Sequence, residues 1–199
     1  MRLVLATRNR HKLDEVRALL AGWDVDLTLL EEAEAADLVE DGVTYAANAL
    51  KKARAACRLT GLTALGDDSG LEVEALGGAP GLRSRRYAGE RATDAENNAR
   101  LLAALRGLPA ERRGAAFVCV LAIVAPDGRW EVVTGRCPVV VAEAPRGQAG
   151  FGYDPLGIVP EYGMTFAELP PEVKNKVSHR ARAVEALKAH LPAFGIHPR

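Results

Sequence analysis

A chain of 199 residues, 48% of them apolar, is long enough for one substantial core and does not require a second domain. Its 26 Lys and Arg balance 26 Asp and Glu, so no global field advertises nucleic acid, and an anionic ligand must be held by a local cationic cluster. The apolar run in MRLVLAT is far too short for a signal peptide or a membrane span, and Cys57, Cys119 and Cys137 lack CxxC or zinc-type spacing, so the expectation is a cytoplasmic protein with reduced, buried thiols.

In chain order, RLVLA reads as a strand, TRNRH as a polar turn, and KLDEVRALLAGW as a helix. That helix has Leu13, Val16, Leu19 and Leu20 on one face, with Gly22 at its exit. VDLTLL predicts a second strand. The acidic EEAEAADLVEDG then leads to a helix, TYAANALKKARAACRLTG, capped by Thr44 and stopped by Gly61. LTALG predicts a third strand that ends in polar residues. After a Gly- and Arg-rich loop over 77–92, Thr93 and Glu96 mark a capping box, and Leu101, Leu102 and Leu105 give the following helix its apolar face. AAFVCVLAIVAPDGRWEVVTGRCPVVV is two long β runs joined by a Pro126-Asp127-Gly128 turn. A glycine-rich loop, RGQAGFGYDPLG, precedes TFAEL, where Thr165 and Glu168 repeat the capping pattern. PPEVKNKVSHRARAVEALKAHL closes the chain as one predicted helix, entered through two prolines. The alternation of strands and helices, with a long central hairpin, argues for one mixed α/β domain over 1–199.

Several polar groups stand at element ends. TRNRHK (7–12) joins strand to helix and offers free N–H groups and Lys12 to an anion, though taken alone it reads more simply as a capped helix start with solvated basic residues. Glu40 and Asp41 precede a glycine turn, while Asn48 and Lys52 stand four apart on one helical face; taken alone, a solvated loop and helix face is the simpler reading. Asp67, Asp68 and Ser69 suit an oxygen-preferring dication such as Mg²⁺, or an Asx-type turn. FGYD (151–154) sets two aromatics and a carboxylate on a glycine loop, for a planar base or for core packing. KNKVSHR carries Lys174, Lys176, His179 and Arg180, with Lys176 and Arg180 at i, i+4; they would donate to phosphate or to base carbonyls, or form a solvated face.

Together, the order LATRNRHK, EDGVTY, NALKKA, GDDSGLEVEALGGAPGLRSRRYAG, FGYDP, TFAEL and SHR resembles the Ham1/RdgB family of inosine triphosphate pyrophosphatases over nearly the whole chain. The resemblance implies a long central mixed β-sheet with two lobes flanking an active-site cleft, in a homodimer. It also implies Mg²⁺-dependent hydrolysis of non-canonical purine nucleoside triphosphates (ITP, dITP, XTP) to the monophosphate and pyrophosphate. By the same resemblance Thr7, Arg8, Asn9, Arg10, His11 and Lys12 cradle the triphosphate, with Lys52 as a second phosphate lysine. Asp68 accepts the water proton and, with Glu40, binds the metal; Ser69 contacts substrate. Phe151, Gly152, Tyr153, Asp154, Lys174, His179 and Arg180 form the nucleoside pocket. One departure is Ala47, where many members carry a glutamate before the asparagine. A carbonyl at purine position six is an acceptor, which donors such as Lys174 and Arg180 would prefer over the amino group of adenine. A Maf-like pyrophosphatase of modified pyrimidine nucleotides is the enzymatic rival, and a nucleotide-binding module without catalysis is the non-enzymatic one.

Overall fold

The computed structural model describes residues 1–30 and 41–199. Among these, seven strands form one sheet in the order β2-β1-β3-β4-β5-β6-β7. They are β1 (Arg2–Ala6), β2 (Asp26–Leu29), β3 (Ala64–Val73), β4 (Gly114–Val124), β5 (Trp130–Val141), β6 (Gly157–Val159) and β7 (Met164–Thr165). β1 runs parallel to β2 and β3, with Leu3 opposite Leu27 and Leu5 opposite Leu65, whereas β5–β6 and β6–β7 are antiparallel. The sheet is therefore mixed, as expected for this α/β chain. The helices are α1 (Arg10–Leu19), α2 (Tyr45–Thr60), α3 (Asp94–Ala104), α4 (Pro171–Val177) and α5 (His179–Lys188). None of the described helices is long and apolar enough to cross a membrane.

The described chain divides into two compact units. The first holds Met1–Asp68, Cys119–Gly135 and His179–Arg199; the second holds Ser69–Val118 and Arg136–Ser178. In the first, the odd-numbered apolar residues Leu3, Leu5, Leu65, Leu121 and Ile123 pack with Leu13 and Val16 of α1 and Val184 and Leu187 of α5. Side chains alternate across a strand, so the even-numbered positions face the other way. There α2 lies so close that a Cβ on Gly66 would stand 2.0 Å from the carbonyl oxygen of Ala49. In the second unit Leu71, Val73, Phe117, Val139 and Val141 of the sheet pack with Leu101 of α3, with Leu105 at its C-cap and with Phe166. The buried Arg113 is bound there through backbone carbonyls, donating to Leu105, Val141 and Ala142 at 3.0, 2.7 and 2.7 Å.

Local signals behave largely as expected. Thr44 caps α2 through the N–H of Ala47, and Thr93 and Glu96 complete the capping box of α3. Three expectations need correction. β3 does not end at Gly66 but continues through Asp67, Asp68 and Ser69 to Val73, so the acidic motif is strand interior rather than a turn. TFAEL closes its Thr165–Glu168 bonds without forming a helix, because Pro170 and Pro171 follow before a turn can propagate. The closing helix is broken at Ser178, whose backbone is extended (φ −66°, ψ 158°). Lys176 and Arg180 therefore do not share a helical face.

Candidate active site

Because Asp67 and Asp68 are consecutive on a strand, their carboxylates leave the sheet on opposite sides, and each has its own cations. Asp67 is wholly buried on the side of α1 and α5, where it accepts from Lys12 and, at 2.8 Å, from Nε of Arg180. The thiol of Cys119 lies 3.6 Å from its Oδ2. Burial pushes the Asp67 carboxyl up, but Arg180 and Lys12 outweigh it and hold the group well below the usual carboxylate range. The mutual rise expected of adjacent carboxylates thus fails for Asp67. Arg180 is itself only 1% exposed, and a second carboxylate, Glu15 one turn beyond Lys12, pairs with its Nη1.

Asp68 is 8% exposed and faces α2. Its Oδ2 accepts from Nδ2 of Asn48 at 2.9 Å, and its Oδ1 stands 3.5 Å from Nζ of Lys52. Lys52, 3% exposed, also donates to the backbone oxygen of Asp67 at 2.5 Å. Asn48 is held from its other end, where Oδ1 accepts from the Gly42 N–H at 2.7 Å. One helical face therefore fixes both an amide and an ammonium against one carboxylate, as the four-residue spacing permits.

The strand-to-helix turn that precedes Lys12 is built by short polar bonds. Thr7 Oγ1 accepts from the Asn9 N–H at 3.2 Å, and Asn9 caps α1 by accepting from His11 N–H at 2.9 Å. Arg8, Arg10 and His11 are exposed, Thr7 and Asn9 half-buried. His179 and Arg180 open α5 and are buried.

In the second unit the FGYD loop forms a separate cluster. Asp154 Oδ2 accepts from the Phe151 N–H at 2.9 Å and from Lys174 Nζ at 2.7 Å. The same ammonium lies 5.3 Å from the centre of the Phe151 ring, within cation–π range. Tyr153, expected to stack on a base, is instead a core residue whose hydroxyl donates to Ser84 O at 2.8 Å. Burial raises its phenol above the ordinary value. Ser69 follows Asp68 on β3 and is half-buried.

The structure thus gathers Lys12, Lys52, Asp67, Asp68 and Arg180 in one unit, and Phe151, Asp154 and Lys174 in the other. Arg180, expected in the nucleoside pocket, is observed on Asp67 and Glu15. The Ser178 break puts it on a different helix from Lys174. Asp41 is paired with Lys51 at the surface, and Ala47 is exposed in the first turn of α2; Glu40 lies outside the described residues. Two participants were not foreseen as site residues. Asn48 was visible only as a spacing partner of Lys52. Glu15 carried a usable signal, its position three residues after Lys12 on the same helix.

The family model described as the Ham1 family matches residues 3–190. A dITP/XTP pyrophosphatase of Geobacter sulfurreducens is 52% identical over 98% of each chain, and one of Desulforamulus reducens is 49% identical over 99% of this chain and 98% of its own. A Ham1 protein structure from Coxiella burnetii superposes with a TM-score of 0.86 at 42% identity, covering 97% of this chain and 99% of that one. A nucleoside-triphosphatase and dITP/XTP pyrophosphatase from Mycobacterium abscessus gives 0.72 at 44% identity, over 96% of this chain and the whole of the other. Fold and sequence agree, and the chain belongs to the Ham1 family.

Proposed function

We propose that this protein hydrolyses the non-standard purine nucleoside triphosphates ITP, dITP and XTP to the nucleoside monophosphate and pyrophosphate. The observation that carries the reading is the Asp68 carboxylate, held by Asn48 and Lys52, in a chain 52% identical end to end to a dITP/XTP pyrophosphatase. Water forms a bond to phosphorus as the α–β anhydride bond breaks, and the bonding electron pair leaves on pyrophosphate. The water proton passes to Asp68. Asp67 is unsuited to that task, because two cations stabilise it as an anion and leave it a poor base. Its work is to fix Lys12. Lys12 and Lys52 stabilise the negative charge of the phosphate chain, and the Thr7–Lys12 turn adds the positive N-terminal end of α1.

Magnesium fits this donor set. Among the described residues no three His, Cys, Asp or Glu side chains converge, so a cage made wholly of protein ligands is not what they offer. Mg²⁺ is typically bound by one or two carboxylates and completes its shell with water and substrate phosphate. Asp68 would be one ligand and Glu40 the second. When bound, the ion would neutralise charge developing on the departing pyrophosphate. Asp67, wholly buried between cations, is not a ligand.

For the base, Lys174 is the donor we assign to the carbonyl at position six, with Phe151 beside it for stacking. Adenine would set its amino donor against the ammonium. Arg180 acts on Asp67 instead, and His179 and Ser69 complete the contacts that the family resemblance implies. The working form in this reading is a cytoplasmic homodimer, which light scattering on the purified protein checks. Pyrophosphate release from ITP, XTP, dITP, ATP, GTP and UTP, with and without Mg²⁺, tests the whole reading. Turnover of the first three should exceed that of ATP by at least about a hundredfold through the position-six carbonyl, and GTP, which shares that carbonyl, reports on recognition at position two. Preferential turnover of UTP would overturn the assignment.

A further inference from the structure

The FGYD loop is gripped from a helix that none of the foregoing roles uses. Asp94 and Asn98 stand four residues apart on α3, on one face. Asp94 Oδ2 accepts from the Gly152 N–H at 2.7 Å, and Asn98 Nδ2 donates to the Gly152 carbonyl at 3.0 Å. Both polar backbone groups of one residue are thus satisfied by one helix. Gly152 sits at φ +61°, a left-handed conformation that side-chain-bearing residues rarely adopt. Asn98 is 7% exposed, so its bond is shielded from competing water, while Asp94 is exposed. The residue they hold lies between Phe151 and Tyr153, and two residues before Asp154, the partner of Lys174.

We propose that Asp94 and Asn98 are positioning residues for nucleobase recognition, fixing the Gly152 backbone so that Phe151 and the Asp154–Lys174 pair present one geometry to the base. This rests on the proposed hydrolysis of ITP and XTP. The two residues touch no reacting atom, and their effect is confined to the base end of the substrate. Their loss should therefore weaken base-dependent binding and leave the phosphate chemistry intact.

The test is steady-state kinetics with ITP and ATP on the full chain, alongside thermal unfolding. Asn98→Asp keeps volume but sets a carboxylate oxygen against the Gly152 carbonyl. Its KM for ITP should rise about tenfold, with kcat within about twofold, and the ITP-to-ATP preference should fall by a similar factor. Asp94→Ala should raise KM about threefold, and Asp94→Asn, which retains an acceptor for the N–H, should restore it. Should Asn98→Asp not fold, the Asp94 pair decides alone. A KM and preference unchanged in the folded variants, or a fall in kcat equal for ITP and ATP, overturns the positioning role. A wild-type protein that releases no pyrophosphate from ITP or XTP overturns the functional reading as well, so the two failures are distinguishable.

Discussion

Asp67 and Asp68 differ by one position and by everything around them. Asp68 keeps the Asn48 amide at 2.9 Å and the Lys52 ammonium at 3.5 Å, so Asp68→Asn should preserve nucleotide binding and lower kcat by about a hundredfold or more. Equilibrium binding of ITP beside single-turnover rates separates the two effects, and near-normal kcat would remove Asp68 from the chemistry. Asp67→Asn is a stability lesion: it leaves Arg180 and Lys12 short of a buried anion, at a cost of about 3–5 kcal/mol. Because the folded carboxyl is held below its ordinary range, its contribution is complete above the unfolded pKa of about 4 and is lost as pH falls through the lower folded value. Wild-type stability should therefore drop more steeply in acid, below about pH 4, than that of Asp67→Asn, as denaturant midpoints measured across pH would show.

At the scale of elements, what was legible in the sequence was whatever depends on neighbours along the chain. The Thr44 and Thr93 caps, the Gly61 stop and the apolar faces of α1 and α3 rest on residues within two turns of each other. The continuation of β3 through DDSG was not legible, because a strand tolerates interior charges only when cations arrive from elsewhere. Here they come from Lys12 and from Arg180, 55 and 113 residues from Asp67. The break at Ser178 was hidden for a related reason: nothing in KVSHR forbids a continuous helix, and long-range pairing of the residues that follow dictates otherwise. Elements also make a prediction of their own. Gly66→Ala would drive a methyl group into the backbone of α2 at Ala49, and α2 carries Asn48 and Lys52. That variant should lose both thermal stability and turnover. Gly152→Ala meets no atom within 4 Å and should cost only about 1 kcal/mol of backbone strain, visible as a small drop in melting temperature.

Over the whole molecule, zero formal charge conceals strong local pairing. Asp67 and Asp68 already have Lys12, Lys52 and Arg180 as partners in the protein alone. These ion pairs compensate the two carboxylates without a dication, unlike in domains whose ligands repel until metal arrives. Chelation by EDTA should abolish pyrophosphate release while moving the melting temperature by less than about 2 °C, and a large shift would show that metal also supports the fold.

The pleat of β3 carries a further consequence. Over Ala64–Asp68, odd and even positions of this strand are two interleaved texts, one addressed to α1 and α5, the other to α2. Deleting or inserting a single codon between Leu65 and Ser69 would exchange their addressees, presenting each acid to the other's companions. A change of length in a surface turn leaves this parity untouched, whereas one within the strand inverts it.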